Sequence, residues 1–116
     1  MLFRSQDNLL RAWKAGVLLV TGSDAGNMLV FHGPTVQHEL QLWVNAGIPA
    51  SVALQAATHN GARVLRKDTQ FGLIREGYDA TLLLVDGNPL QEIAATERIS
   101  GVFIKGERVD RAGIFE

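Results

Sequence analysis

One acidic residue lies in a cluster of turn-forming residues, Gly22-Ser23-Asp24-Ala25-Gly26, directly after the apolar run Val17–Thr21. An apolar run without polar alternation predicts a strand that is buried on both faces, so Asp24 would follow its carboxyl end. Enzymes built on a barrel of parallel strands carry their catalytic groups at that end. A carboxylate there can bind a divalent metal and accept the proton of a water that the metal activates. The alternative is that Asp24 stabilises a strand-end turn, and residue types alone favour that role.

Two neighbours of Asp24 are candidates for contact with a substrate. Gly26 would let the backbone turn sharply and approach a bound molecule closely. His32 lies in the loop that follows Asp24, and loops are where binding residues concentrate. We therefore predict Gly26 and His32 as substrate-binding residues beside the catalytic and metal-binding Asp24.

The remaining histidines receive structural interpretations. His38 falls on a predicted helix, beside its apolar stripe, and reads as a surface or packing residue. His59 stands at a predicted helix end, where an imidazolium complements the helix dipole. A catalytic zinc usually has three protein ligands and an open position, and neither histidine forms an obvious ligand pair with His32.

The N-terminal half alternates helices with the apolar run. A helix is predicted over about Gln6–Ala15, and it leads through Gly16 into Val17–Thr21 as the αβ half of a parallel α/β unit. A second helix begins at Pro34, ends at Gly47 and carries one apolar stripe, made of Val36, Leu40, Trp43 and Val44. An alanine-rich helix follows Ile48-Pro49, and Thr58 or Asn60 could cap a further turn through Leu65.

The C-terminal half reads as mostly β, and the change falls near residues 66–71. The predicted elements are two β-like segments, Phe71–Ile74 and Ala80–Val85, a helical turn at Leu90–Ile93, a strand at Ile99–Lys105, and a two-residue hairpin turn at Gly106-Glu107. We therefore place a domain boundary between residues 1–66 and 67–116.

Composition excludes several classes of protein. The chain has 116 residues, 47% hydrophobic and 20% charged, with a net charge of −1 and no cysteine. These values are typical of a soluble globular protein without disulfides, and they give no basic surface for nucleic acid or an anionic membrane. No apolar run is long enough to span a membrane and the N-terminus lacks a signal-peptide pattern, so a cytoplasmic location is the default expectation.

An ordered series of motifs covers nearly the whole chain. They are Val17–Thr21 with Gly22-Ser23-Asp24-Ala25-Gly26, His32-Gly33-Pro34, His38-Glu39-Leu40-Gln41-Leu42, Ala46-Gly47-Ile48-Pro49, Ala53-Leu54-Gln55-Ala56-Ala57-Thr58, Asn60-Gly61-Ala62-Arg63, Gly72-Leu73-Ile74, Gly77-Tyr78-Asp79-Ala80, Leu82–Asp86, Gly87-Asn88-Pro89-Leu90 and Val102–Val109. In this order the series resembles the C-terminal portion of the amidohydrolase superfamily, in its imidazolonepropionase-like and proline-dipeptidase-like branch.

The resemblance implies an α/β fold, namely the end of a (β/α)8 TIM-type barrel over residues 1–66 and the C-terminal share of a small β-sandwich over residues 67–116. It implies hydrolysis of C–N bonds in small-molecule substrates. It also implies a divalent metal cofactor, which we expect to be one or two Zn²⁺ ions. It implies that Asp24 is a metal ligand and proton shuttle. The family's His-x-His pair, its bridging lysine or acid and two further histidines have no counterpart in this sequence, so they would belong upstream of Met1.

Three functions remain in competition. The first is part of an amidohydrolase that needs the remainder of its own barrel, or another copy, as a partner. The second is a catalytically inactive interaction or structural domain derived from that fold. The third is a DNA-binding helix-turn-helix around Ala46-Gly47-Ile48-Pro49, but its recognition helix at Pro49–Thr58 has no Lys or Arg to contact DNA. We expect no nucleic-acid or membrane partner.

Overall fold

A computed structural model describes residues 2–28, 30 and 32–113. Four helices precede a small sheet: α1 is Leu2–Lys14, α2 is Thr35–Asn45, α3 is Ala50–Ala57 and α4 is His59–Val64. The β part consists of β1 at Leu82–Val85, a 3₁₀ helix at Ile93–Glu97, β2 at Ile99–Ile104 and β3 at Glu107–Arg108. The described chain is therefore mixed α/β, with helices first and strands last. None of its helices is long and apolar enough to cross a membrane.

Glycines end the first two helices where the sequence predicts. Gly16 has φ +78°; its N–H donates to the carbonyl of Trp13 at 2.9 Å, while the N–H of Val17 donates to that of Ala12 at 3.0 Å. These two bonds form a Schellman motif, which needs a left-handed residue that glycine adopts without strain. Gly47 ends α2 in the same way, with φ +99°. The helix predicted from Gln6 is confirmed and begins four residues earlier.

The helical core forms around α2 and α3. Its buried members are Leu40, Trp43, Ile48, Ala53, Ala56 and Ile93. The predicted stripe of α2 is confirmed at Leu40 and Trp43, whereas Val36 stays 40% exposed. Ala53 and Ala56 of the predicted alanine-rich helix are fully buried, so this helix packs closely against its neighbours. Ile93 joins this core from the 3₁₀ helix, so the β part packs directly on the helices.

The predicted buried strand Val17–Thr21 has no strand partner among the described residues. The segment belongs to no sheet, and Val17 and Leu18 are 54% and 45% exposed. A strand exists only where neighbouring backbone supplies hydrogen bonds, and the three-stranded sheet of the described residues lies elsewhere. A side chain of α4 holds the segment: the side-chain amide of Asn60 donates to the carbonyl of Leu19 at 2.9 Å.

The β-like prediction for Phe71–Ile74 is wrong, since this stretch is a series of bends. Gly72 has φ +95°, and a Cβ there would lie 2.8 Å from the Cβ of Ala62 and 3.1 Å from the Cα of His59. The stretch therefore packs against α4 and does not pair with a strand. The helical turn predicted at Leu90–Ile93 is present: the Asn88 carbonyl accepts from the N–H groups of Gln91 and Glu92 at 3.0 Å each. The 3₁₀ helix follows from Ile93.

The sheet is antiparallel in the order β1-β2-β3, with Leu83 opposite Val102. A bulge falls between Leu84 and Val85. The hairpin turn was predicted one residue too late: Ile104 pairs with Glu107, so Lys105 and Gly106 form the turn. Both turn residues have positive φ, +51° and +85°, which is the type I′ geometry that fits the twist of a two-residue hairpin.

The boundary between residues 1–66 and 67–116 stays a prediction. Arg66 ends α4 in the left-handed conformation, with φ +56°, and every strand comes later in the chain.

Candidate functional site

Asp24 lies in a tight turn and its carboxylate is exposed. It has φ +52°, a left-handed conformation that Asp tolerates better than most residues. Asn27 makes two bonds to it: its side-chain amide donates to Oδ2 at 2.9 Å, and its backbone N–H donates to the Asp24 carbonyl at 3.2 Å. Asp24 therefore does stabilise its turn, as the alternative interpretation holds. Its Oδ1 accepts no hydrogen bond from the described residues, so one carboxylate oxygen can still take a ligand.

Asn27 organises the rest of the turn, a role that sequence reasoning missed. Its Oδ1 accepts from the N–H of Met28 at 2.7 Å, and its carbonyl accepts from the N–H of Val30 at 3.0 Å. The N–H of Gly26 then donates to the carbonyl of Val30 at 2.9 Å. An Asn three residues after an Asp in a glycine-rich loop is the signal that could have indicated a turn stabilised by these two side chains.

The structure brings Gly26 and His32 together. A Cβ built on Gly26 would lie 3.4 Å from Nε2 and 3.7 Å from Cε1 of His32, so the imidazole covers the glycine. His32 is exposed, and Gly26 has φ +99°. The two predicted substrate residues thus share one face of the loop that carries Asp24, while their role in binding stays a prediction.

Two side chains of α2 hold the start of this loop. Both carboxylate oxygens of Glu39 accept from the N–H of Gly22, at 3.1 Å each. The hydroxyl of Thr35 donates to that of Ser23 at 3.2 Å. Sequence reasoning assigned neither residue a role. The available signal was an acid and a hydroxyl spaced one helical turn apart on the helix that leaves the loop.

The segment before the Asp24 loop is held by a side chain of α4. Asn60, 8% exposed in α4, donates to the Leu19 carbonyl, five residues before Asp24. Asn60 had been considered only as a helix cap. Its side chain instead satisfies a carbonyl that has no sheet partner, so α4 and α2 together set the path of residues 19–23.

The other two histidines do not join Asp24. His38 Nε2 lies 3.5 Å from Oε1 of Glu97, where an ion pair forms when the imidazole is protonated. His59 begins α4, and its buried Nδ1 has no hydrogen-bond partner. The interpretation of His38 as a surface residue agrees with its position. His59 lies at a helix end as predicted, but it is the first residue of α4, where the helix dipole opposes a cation, so the predicted dipole role is wrong for this helix.

A metal site is not completed within the part of the chain that the structure describes. No three His, Cys, Asp or Glu side chains there come together in a way that could hold a metal ion. The exposed carboxylate of Asp24 is chemically suited to be one oxygen ligand of a divalent cation. A catalytic zinc requires about three protein ligands, so the described residues alone cannot form a complete zinc centre.

The chain matches the family model described as the amidohydrolase family over residues 4–109. Among characterised relatives, adenine deaminase 1 of Latilactobacillus sakei subsp. sakei (strain 23K) is 34% identical over 90 residues. That match covers 78% of this chain and 14% of the deaminase.

Solved structures give the same relationship. A Xaa-Pro dipeptidase with bound methionine in its active site superposes with a TM-score of 0.83 at 34% identity, over 90% of this chain and 25% of the dipeptidase. Molinate hydrolase superposes with a TM-score of 0.83 at 27% identity, over 93% of this chain and 27% of its own. The chain thus spans about a quarter of these structures. With the family model covering nearly all of its length, the chain belongs to the amidohydrolase family.

Proposed function

We propose that the protein hydrolyses C–N bonds of small molecules, with Asp24 as the residue of this chain that handles the proton. One observation carries the proposal: within the family match, the loop of residues 22–28 presents an exposed carboxylate with one oxygen free of hydrogen bonds to the described residues. The names of the relatives supply the reaction class, since a deaminase and a dipeptidase both cleave C–N bonds.

Asp24 would act in two ways. Its Oδ1 accepts a proton from the attacking water and returns it to the leaving nitrogen, which balances the hydrolysis. Asn27, bonded to Oδ2, keeps the carboxylate in one orientation while this occurs. His32, packed over Gly26, lies where it can donate a hydrogen bond to a polar group of the substrate.

A divalent metal, which we expect to be Zn²⁺ as one or two ions, would supply Lewis-acid polarisation of the substrate and of water when bound. Asp24 is the one ligand that we assign to it. The remaining ligands would come from parts of the protein outside this chain, in line with the donor set described above.

The proposed architecture follows from the same relationship. Residues 1–66 would form the end of a (β/α)8 barrel, with Val17–Thr21 as its last strand, and residues 67–116 would form part of a β-sandwich. The exposure of Val17 and Leu18 supports this arrangement, because neighbouring barrel strands would cover them. The partner that we propose is therefore the remainder of the protein's own barrel.

A catalytically inactive interaction domain is the second candidate. One observation favours it, namely that Asp24 is already engaged by Asn27 in stabilising its turn. An inactive domain and an enzyme make opposite predictions for substitution of Asp24.

The test is the Asp24→Asn variant of the protein that includes the complete barrel. Asn keeps the size and one oxygen of the side chain but cannot accept the proton as a base, so kcat/KM should fall by roughly 10³-fold or more. Xaa-Pro dipeptides, adenine and molinate, taken from the names of the relatives, form the substrate panel. Asp7→Asn, an exposed acid on α1, is the matched control and should keep wild-type turnover. Near wild-type turnover of Asp24→Asn would remove Asp24 from the mechanism, and inactivity of the wild type on every substrate would favour the interaction domain.

A further inference from the structure

We propose that Glu39 is a positioning residue, which holds the loop of Asp24 in its reactive orientation by binding the backbone N–H of Gly22. The proposal rests on the function proposed for Asp24. Glu39 Oε1 and Oε2 are each 3.1 Å from the nitrogen of Gly22, across 17 residues of sequence. An acid of α2 is thereby tied to the backbone two residues before the proposed base.

This contact lies where the chain enters the Asp24 loop. The neighbouring pair, Thr35 Oγ1 to Ser23 Oγ at 3.2 Å, joins the same helix to the next residue along. Residues 22 and 23 are therefore both fastened to α2, and Asp24 comes directly after them. Asp24 has φ +52°, which lies outside the broad low-energy regions of backbone conformation. A residue keeps such a conformation only where its surroundings enforce it.

The geometry of Glu39 argues against other roles. Both of its oxygens face one backbone amide, so its carboxylate is not turned towards a metal, and it belongs to no group of metal-ligating side chains in the described residues. No basic side chain within that part of the chain forms an ion pair with it, and its side chain is half-buried. A hydrogen bond to an ionised acceptor is roughly twice as strong as a neutral one, which suits a contact that orders a loop.

The consequence for catalysis differs from that of a substrate-binding residue. Without Glu39 the loop would fluctuate, and Asp24 would occupy its reactive position for a smaller share of the time. Misplacement of a catalytic group by about 1 Å can cost about 10²-fold in rate. Loss of Glu39 should therefore lower kcat while leaving the substrate KM nearly unchanged. Glutamine retains one acceptor oxygen without the charge, so it should restore part of the effect.

Three variants of the complete protein test the proposal: Glu39→Ala, Glu39→Gln and, as a control, Gln41→Ala. Gln41 lies on the same helix and its Nε2 donates to Glu97 Oε1 at 2.6 Å, so the control also loses one side-chain hydrogen bond. We expect kcat to fall roughly 10- to 100-fold in Glu39→Ala, with KM within about threefold, and glutamine to recover at least about fivefold of that loss. The control should match the wild type.

A second measurement does not depend on activity. The amide of Gly22, followed by NMR, should move upfield and lose at least about tenfold of its hydrogen-exchange protection in Glu39→Ala but not in Gln41→Ala. An unchanged Gly22 amide, or equal kcat in Glu39→Ala and wild type, would overturn the positioning role. Full activity of Asp24→Asn would instead overturn the proposed function. The Gly22 amide would still report on the contact between Glu39 and Gly22. Failure of the proposed function and failure of the positioning role are therefore distinguishable. If Glu39→Ala does not fold, Glu39→Gln is measured in its place: kcat and the protection of the Gly22 amide should both fall, by less than is expected for alanine, and wild-type values of both would overturn the positioning role.

Discussion

Asn60 and Leu19 are joined by a hydrogen bond of 2.9 Å from the side-chain amide to the backbone carbonyl, although 41 residues separate them. Asn60 is buried in α4, whereas Leu19 belongs to a segment with no strand partner in the described chain. This bond fixes the segment that leads into the Asp24 loop relative to α4.

Asn60→Ala should lower the free energy of unfolding by about 1–2 kcal/mol, because it leaves the Leu19 carbonyl without its donor. Urea unfolding at one fixed protein concentration measures the change. Asn8→Ala, at an exposed position of α1, is the control and should stay within about 0.5 kcal/mol of wild type. Equal stabilities of Asn60→Ala and wild type would show that the bond contributes nothing to the fold.

Gly72→Ala should be among the most destabilising small substitutions in this chain. The new Cβ would lie 2.8 Å from the Cβ of Ala62 and 3.2 Å from the carbonyl oxygen of Thr58, at φ +95°. We expect a loss of about 2–4 kcal/mol from the clash and the backbone strain. Gly61→Ala, within α4, is the matched control: its Cβ would meet only the Ala56 carbonyl oxygen at 4.0 Å, so stability should be kept or slightly raised.

The ion pair between Glu92 and Arg98 should make stability depend on pH. Arg98 Nη2 lies 2.8 Å from Glu92 Oε2, and this hydrogen bond, followed by the charge of Arg98, lowers the pKa of Glu92 below 4.5. A lowered pKa in the folded state stabilises the protein above the unfolded-state pKa, and the contribution disappears as pH falls through the folded value. Glu92→Gln should therefore be slightly less stable than wild type near neutral pH, and this difference should disappear as the pH falls through the lowered pKa of Glu92 in the folded state.

Solvent screening keeps that effect small, because both partners are exposed. Glu76→Gln, at another exposed acid, is the control and should show no such convergence. A stability difference between wild type and Glu92→Gln that persists unchanged in acid would exclude the ion pair as its cause.

Zinc should bind weakly to the 116-residue chain by itself. Asp24 supplies one ligand, and no group of three ligating side chains exists among the described residues. Elemental analysis after dialysis against a chelator, together with titration calorimetry, measures the metal content and affinity. Stoichiometric zinc that resists the chelator would show that this chain contains further ligands.

The isolated chain should associate in solution. Apolar residues are exposed both beside the loop and along the sheet edge, including Val17 at 54%, Leu84 at 57% and Ile74 at 92%. Since β1 pairs only with β2, its outer edge can accept the backbone of another strand. Light scattering after size exclusion at low micromolar concentration should show species larger than a monomer.

A charge on that edge should reduce the association. Leu84→Lys places a lysine on β1, whereas Leu42→Lys places one on α2 at a residue of similar exposure, 50%. We expect only the first to favour the monomer. A wild-type chain that stays a monodisperse, cooperatively unfolding monomer would contradict the proposal that it needs the remainder of a barrel.

Local chemistry was enough to predict the helices and their ends. Gly16 and Gly47 end α1 and α2 in left-handed conformations because few other residues adopt them without strain, and the buried stripe of Leu40 and Trp43 follows from helical spacing. The loop of Asp24 and the hairpin between β2 and β3 were likewise indicated by turn-forming residues, although the turn itself is one residue earlier. These features depend on residues that are neighbours in the sequence.

Features that depend on distant partners could not be predicted from local patterns. The sequence shows that Val17–Thr21 is apolar and that Asp24 follows it. Whether that run is a strand depends on backbone from elsewhere, and the described chain provides none. The contacts of Glu39 with Gly22 and of Asn60 with Leu19 span 17 and 41 residues, and no periodicity in the sequence encodes either pairing. Hydrogen bonds of this kind arise from how whole helices pack, which is why the residues that hold Asp24 became visible only in three dimensions.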